Sequence, residues 1–370
     1  MNPDLLYQIA LTLVPNVGDV TAKKLIAYCG SAEAVFKSHS SLLKKIPDVG
    51  EVVAGSVSLS QTVHLAEQEL RFVEKKGITA LSYLDEDYPY RLRQCDDSPI
   101  VLYAKGRLPL NAQKIISIVG TRTATPYGKH LCDTLAADFA ALGYQPIIVS
   151  GLAFGIDIAA HKAALKHGLP TAAVVAHGLN MVYPAVHTNV LNEIIEAGGA
   201  VLTDFSTEAK MHAANFVRRN RIIAGIADAT IVVESAERGG SLITAQLAVD
   251  YARDVFAFPA RVDDKTSMGC LSLIRSNKAG LVTCAADVAY ALGWDVMRKN
   301  KSQPALFQQV ELTPNEDTIY KKLCEVGAQN IDEICHLTQL PISIVAANLL
   351  SLEFNGRVKA LPGKVFEAIR

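Results

Sequence analysis

From about residue 77 the chain alternates short apolar runs with longer segments of helical period. ITALSY (78–83), IVLYA (100–104), IISIV (115–119), PIIVS (146–150), TAAVVA (171–176), AVLTD (200–204), ATIVVES (229–235), VFAF (255–258) and LVT (281–283) read as strands. Most stand just ahead of a glycine or a helical segment, which predicts crossover helices and a mostly parallel sheet: a Rossmann-like domain over 77–297. In such a sheet the ligand site lies outside the carboxyl ends of the strands, where loops run into helix N-termini.

The flanks read differently. Residues 1–76 read as short helices, and one pattern occurs twice in them: Pro15-Asn16-Val17-Gly18-Asp19-Val20 and Pro47-Asp48-Val49-Gly50-Glu51-Val52. Each copy sets a tight turn before a helix, as in the helix-hairpin-helix unit whose turn amides can face a DNA phosphate. The same pattern also suits a helical packing module that touches nothing, and the acids Asp48 and Glu51 would repel phosphate. The polar stretch 298–313 reads as a linker. Residues 314–370 hold three helical runs (314–325, 331–337, 342–354) and then a strand-like hairpin, a winged helix-turn-helix pattern. Seven Lys/Arg against eight Asp/Glu over 301–370 suit a protein-contact or autoregulatory role better than groove reading.

With half of its 370 residues apolar and 20% charged, the chain has the composition of a folded protein. A formal net charge of −1 excludes a surface coated in positive charge, so any hold on nucleic acid must come from a local group of cations. The seven cysteines contain no CxxC pair, which suits reduced packing thiols better than a disulfide framework or a zinc site. The start, MNPDLLYQIALTLVP, has no basic n-region, and nowhere do eighteen uncharged apolar residues run together, so a cytoplasmic location without membrane contact is expected.

Four loops carry candidate chemistry. Strand 115–119 runs into Gly120-Thr121-Arg122, where the guanidinium of Arg122 can swing over a sheet-top pocket or remain a surface cation. Strand 146–150 runs into Ser150-Gly151-Leu152-Ala153-Phe154-Gly155-Ile156-Asp157, whose glycines let main-chain amides cradle an anion at a helix start. No Gly-Lys-Ser/Thr closes this loop and its spacing is G-x-x-x-G, so neither ATP hydrolysis nor dinucleotide binding has its usual sequence support. Asp157 and His161, four apart, fit either an acid/base pair or a helix cap beside a packed imidazole. Arg218-Arg219-Asn220-Arg221 concentrates cations before an apolar helix, with Phe216 as a ring for stacking or for the core. Gly239-Gly240-Ser241 repeats the pattern of strand, glycine loop and helix start. Two cradles and two arginine sites fit a polymeric backbone better than one mononucleotide, and no carboxylate set is spaced for Mg²⁺.

These residues resemble the DprA/Smf family, DNA-processing proteins that protect incoming single-stranded DNA in natural transformation and load RecA on it. The resemblance runs from about 77 to 284 through Tyr88-Pro89 to Leu102-Tyr103, Val119-Gly120-Thr121-Arg122, Ser150 to His161, Gly178-Leu179 with Tyr183-Pro184, Arg219 to Gly225, and Gly240 to Ala245. It implies an extended Rossmann-like domain flanked by a small all-α N-terminal domain and a winged-helix C-terminal domain. It also implies a homodimer through the Rossmann domain, RecA as partner, and single-strand binding without cleavage or a cofactor. The implied DNA-binding residues are Arg122, Ser150, Gly151, Arg219, Asn220, Arg221, Gly240 and Ser241. The chain departs from the family pattern over Phe205–Ala214, at Ala185 and at Leu271, which implies either a weaker hold on DNA or a substitute cation from Lys210 or Arg218. Two competing functions are a nucleotide-processing Rossmann enzyme of phosphoribohydrolase type using Asp157 and His161, and a transcription regulator acting through 314–370.

Overall fold

The computed structural model describes residues 3–58, 61–294, 312–361 and 365–369, so most of the expected linker, 298–313, lies outside the described residues. The chain forms two compact units, Met1–Leu292 and Gly293–Arg370.

The first unit opens with helices α1 (Pro3–Thr12), α2 (Asp19–Cys29), α3 (Ala32–Lys37), α4 (Ser40–Leu43), α5 (Glu51–Ser58) and α6 (Thr62–Lys75). The two repeat copies adopt the same turn: Asn16 and Asp48 both have φ 63°, and α2 and α5 start after Gly18 and Gly50. The acids of the second copy are held by lysines, Asp48 by Lys24 and Glu51 by Lys44, each at 2.5 Å. Asp19 of the first copy turns inward, where it accepts the Ile100 amide at 3.0 Å. The helices and the sheet edge share one core, in which Ile9, Leu11, Leu25 and Leu43 pack with Ile78, Ile100, Val101 and Tyr103.

The sheet follows. Its elements are β1 (Thr79–Ser82), α7 (Tyr90–Arg93), β2 (Val101–Gly106), β3 (Ile115–Val119), α8 (Pro126–Ala141), β4 (Ile147–Ser150), α9 (Ile156–Lys166) and β5 (Thr171–Val174). After a 3₁₀ turn at Ala185–His187 come α10 (Thr188–Glu196), β6 (Ala200–Thr203), α11 (Ala213–Ile226), β7 (Ala229–Val232), α12 (Gly240–Asp250), β8 (Asp254–Ala257), α13 (Met268–Arg275), β9 (Gly280–Leu281) and α14 (Ala285–Ala291). The nine strands lie in the order β1-β2-β6-β5-β4-β3-β7-β8-β9, parallel except for β1 with β2 and β2 with β6. The nine apolar runs of the sequence are these nine strands.

Side chains alternate across the sheet as the strand period requires. Ala172, Val174 and Leu202 pack with Ile222, Ile223 and Ile226 of α11, whereas Ala173, Val175 and Val201 pack with Val190, Leu191 and Ile194 around α10. The chain leaves β3 through α8 toward β4 but reaches β7, on the other side of β3, from α11. Strand order therefore reverses at β3, and a crevice opens above its carboxyl end.

The second unit is a winged helix. It comprises α15 (Pro314–Val326), β10 (Gln329–Asn330), α16 (Ile331–Thr338), α17 (Ile342–Phe354), β11 (Val358–Leu361) and β12 (Val365–Ala368), with strand order β10-β12-β11. Thr313 caps α15 in a reciprocal box with Glu316, and Ile319, Leu323, Ile334, Val345, Leu349, Leu352 and Val358 form the core. Among the described residues no single helix is long and apolar enough to cross a membrane.

Candidate functional site

Three strand ends converge on the crevice. The Gly120–Arg122 turn after β3 is tied on both sides, the Thr121 amide donating to the Glu234 carbonyl at 2.7 Å and the Ile156 amide to the Thr121 carbonyl at 3.1 Å. This close approach requires Gly155, whose φ is +78° and where a Cβ would run into the Thr121 and Arg122 main chain. A cavity of about 250 Å³ results, with Gly120, Arg122, Phe216, Asn220, Gly240 and Thr244 among its walls.

Its exposed rim is a stack. Arg122 lies with its guanidinium carbon 5.1 Å from the centre of the Phe216 ring, and Phe216 meets Tyr183 at 5.7 Å, tilted by 60°. Arg122 and Tyr183 are exposed, while Phe216 and Asn220 are half-buried. Gly240 is the exposed first residue of α12, with open space where a Cβ would stand. Of the residues singled out in the sequence, Arg122, Arg219, Asn220, Gly240 and Ser241 line the cavity, whereas Ser150, Gly151 and Arg221 do not.

Arg219 and Arg221 are nonetheless buried and engaged within the fold. Arg219 is 3% exposed, and its Nη1 donates to the Gly151 carbonyl at 2.6 Å and also to the Val174 carbonyl. Burial lowers its pKa to about 10, with Asp157 opposing that shift and Arg122 adding to it. The side chain carries the 151–155 loop from below, and Gly151 is needed because a Cβ there would lie on the Arg219 guanidinium. Arg221 is also buried: its Nη2 donates to Asp204 at 2.5 Å and to Asp19 at 2.8 Å. Burial alone would lower its pKa, but the two carboxylates hold it above the ordinary value. Arg218 joins the same acids at 3.1 and 3.3 Å and lies over the Phe205 ring. Of the two substitute cations considered, Arg218 is therefore engaged, while Lys210 is exposed in the loop before α11.

The two serines differ in place, Ser241 lining the cavity and Ser150 lying beneath it. Ser150 is fully buried and donates to the Ile118 carbonyl at 2.6 Å, tying β4 to β3. Ser241 donates to Ser235 Oγ at 2.8 Å beneath the Gly239–Gly240 turn. Gly151 is buried, so it serves the loop and not a ligand surface.

Asp157 and His161 do not form an acid/base pair. His161 Nδ1 shares a 2.7 Å hydrogen bond with Thr171, and burial pushes the imidazole down to about 3, so it is neutral at physiological pH. Burial raises the Asp157 pKa against the pull of Arg219, and its Oδ2 accepts from the Ala153 amide at 3.4 Å. Asp157 thus holds the loop that leads into α9, and His161 ties that helix to Thr171 of β5. Sequence reasoning missed two partners, Asp204 beneath Arg221 and Tyr183 beside Phe216, each far in sequence from the residue it contacts.

A sheet with its crevice at the switch point, joined in one chain to a winged helix, defines a Rossmann-like protein with a winged-helix appendage. Residues 79–293 match the family model for DNA recombination-mediator protein A, and residues 303–364 match that for the DprA winged helix domain. The chain belongs to the DprA/Smf family. It is similar to Protein Smf of Synechocystis sp., at 30% identity over 99% of each chain, and to a putative DNA processing protein DprA of Mycobacterium tuberculosis, at 33% over 85% of this chain and 84% of that one. The structure resembles DprA from Streptococcus pneumoniae with a TM-score of 0.65 at 30% identity, covering 78% of this chain and 98% of the other. It also resembles DNA processing protein A from Helicobacter pylori, described for its single-stranded DNA binding mode, with a TM-score of 0.52 at 29% identity over 59% of this chain and 96% of that one.

Proposed function

We propose that the chain binds single-stranded DNA at the sheet-top crevice without cleaving it, protects it, and delivers it to RecA. The observation that carries this is the exposed stack of Arg122, Phe216 and Tyr183 beside the open start of α12. An aromatic pair offers π-faces to unpaired bases of any identity, and a guanidinium beside it meets the phosphate between them. Duplex DNA hides its base faces, so the same stack favours single strands.

Fluorescence anisotropy with labelled single- and double-stranded oligonucleotides tests the reading. Phe216→Ala should cost about 1–3 kcal/mol on single strands. Arg122→Ala should flatten the log–log salt dependence by about 0.7, the value for one phosphate. Unchanged single-strand affinity in both variants, or equal affinity of the unsubstituted chain for duplex, would refute it. Delivery to RecA predicts faster filament growth on single strands when the chain is added, and assembly as a homodimer through the sheet unit predicts twice the monomer mass in sedimentation.

The winged helix fits a protein contact. Its α17 has no Lys or Arg between Ile342 and Phe354, and it exposes Ile342, Leu350 and Phe354. A helix with no cation has nothing to set against the phosphates flanking a major groove.

A further inference from the structure

Lys129, Lys162 and Phe154 take no part in the sheet-top crevice, yet they face one groove. Between α8 and α9, which pack side by side, lies a cavity of about 560 Å³ lined by Arg122, Lys129, Asp133, Phe154, Lys162 and Lys166 together with small apolar residues of α9. The acid in it is already engaged, Asp133 accepting from Lys166 at 2.8 Å and facing His167 at 2.9 Å. Among the described residues neither Lys129 nor Lys162 forms an ion pair, so the groove keeps two uncompensated ammonium groups. Phe154 is 46% exposed and is steadied by an edge contact with His187 at 5.0 Å.

Arg122 lines both cavities, so the groove and the crevice meet at its side chain. The cations also stand at different depths along the groove. Lys129 stands three residues after the start of α8 at Pro126, and Lys162 six residues after the start of α9 at Ile156. At 1.5 Å per residue these positions lie about 4–5 Å and about 9 Å along the helices from the end where Arg122 sits. Charges spaced away from a single point suit successive phosphates of a polymer and leave a free mononucleotide with one contact at most.

We propose that a single strand seated on the sheet-top stack leaves it over Arg122 and runs along the α8–α9 groove, with phosphates on Lys129 and Lys162 and a base against Phe154. This path rests on the sheet-top reading above and extends the footprint of that site.

The test compares a three-nucleotide and a twenty-nucleotide oligothymidylate on the full chain across a range of salt concentrations. The variants are Lys129→Gln with Lys162→Gln, whose side chains are exposed and support no core, and Phe216→Ala. The lysine variant is expected to bind the short strand as the unsubstituted chain does. On the long strand its salt slope should be flatter by about 1.4, from about 0.7 for each of two phosphates, with affinity lower by roughly tenfold near 0.1 M salt. Equal slopes on the long strand would overturn the path and leave the sheet-top site standing, as would an equal loss on both lengths, which would place the lysines in that site. Full affinity of Phe216→Ala for both lengths would overturn the sheet-top reading and the path with it.

Discussion

Replacing Arg221 with Ala separates an arginine that holds the fold from the one proposed to hold DNA. In the folded chain its guanidinium lies between the side chains of Asp204, 1% exposed, and Asp19, 8% exposed. Removing it leaves two carboxylates facing each other out of water, and breaking a buried pair in this way costs about 3–5 kcal/mol. The loss should fall toward the lower figure, because Arg218 still reaches both acids from the surface at 3.1 and 3.3 Å. For a denaturant slope of about 3 kcal/mol per molar urea, the unfolding midpoint should drop by about 1 M with the slope unchanged. Adding Asp204→Asn should recover part of the loss, since the neutral amide no longer carries an uncompensated charge. Below the transition, single-strand affinity should match that of the unsubstituted chain, whereas Arg122→Ala should give the reverse pattern of intact stability and weakened binding. An Arg221→Ala protein that unfolds at the normal urea concentration but no longer binds single strands would refute the structural assignment of this residue.

Two other measurements probe how the crevice is built. Gly155→Ala must set a Cβ against the Thr121 carbonyl at φ +78°, so it should lose at least about 1 kcal/mol of stability in urea and weaken single-strand binding by displacing the Arg122 turn. His161 gives a pH signature. Its imidazole is held near 3 in the folded chain against an ordinary value of 6.5, so between those limits the unfolded chain binds the extra proton. Its contribution is fully present above pH 6.5 and fades as pH falls toward 3, by at most about 1.4 kcal/mol per pH unit. Urea midpoints measured from pH 7 to 4 should decline less steeply in His161→Gln, and an identical pH dependence in the two proteins would count against a buried neutral imidazole.

The sheet was readable in the sequence because each of its strands is a short apolar run ending at a turn. Ile115 to Val119 and Ile147 to Ser150 are buried on both faces, so they carry no charged residue and show no amphipathic helical period, Ser117 being satisfied by the Ile223 carbonyl. The glycine loops were readable for a similar reason, since Gly155 marks a backbone position that other residues adopt only under strain. What a glycine loop does not reveal is whether it faces a ligand or a neighbouring side chain. Gly151 faces Arg219, and only the tertiary fold brings those two residues, 68 apart, together.

The arginines of α11 show what charge alone leaves out. Local concentration of cations pointed to phosphate, but Arg219 precedes Ile222, Ile223 and Ile226 by three, four and seven positions, which puts it on the apolar stripe of its own helix. That spacing was available in the sequence and argues for burial. Phe216 and Asn220 lie one turn apart on the adjacent stripe and present their side chains to the crevice, which Arg219 also lines from its buried position. The acid under Arg221 was not available in the same way, because Asp204 follows β6 and Asp19 belongs to the first repeat turn, 202 residues away. With the α11 arginines engaged within the fold, a chain of net charge −1 has no concentrated arginine group left at the crevice besides Arg122. On the proposed path the hold on DNA would rest on Arg122 and on exposed lysines, so affinity should depend on strand length more steeply than a compact arginine pocket would allow, because each added phosphate would reach a cation farther along the α8–α9 groove.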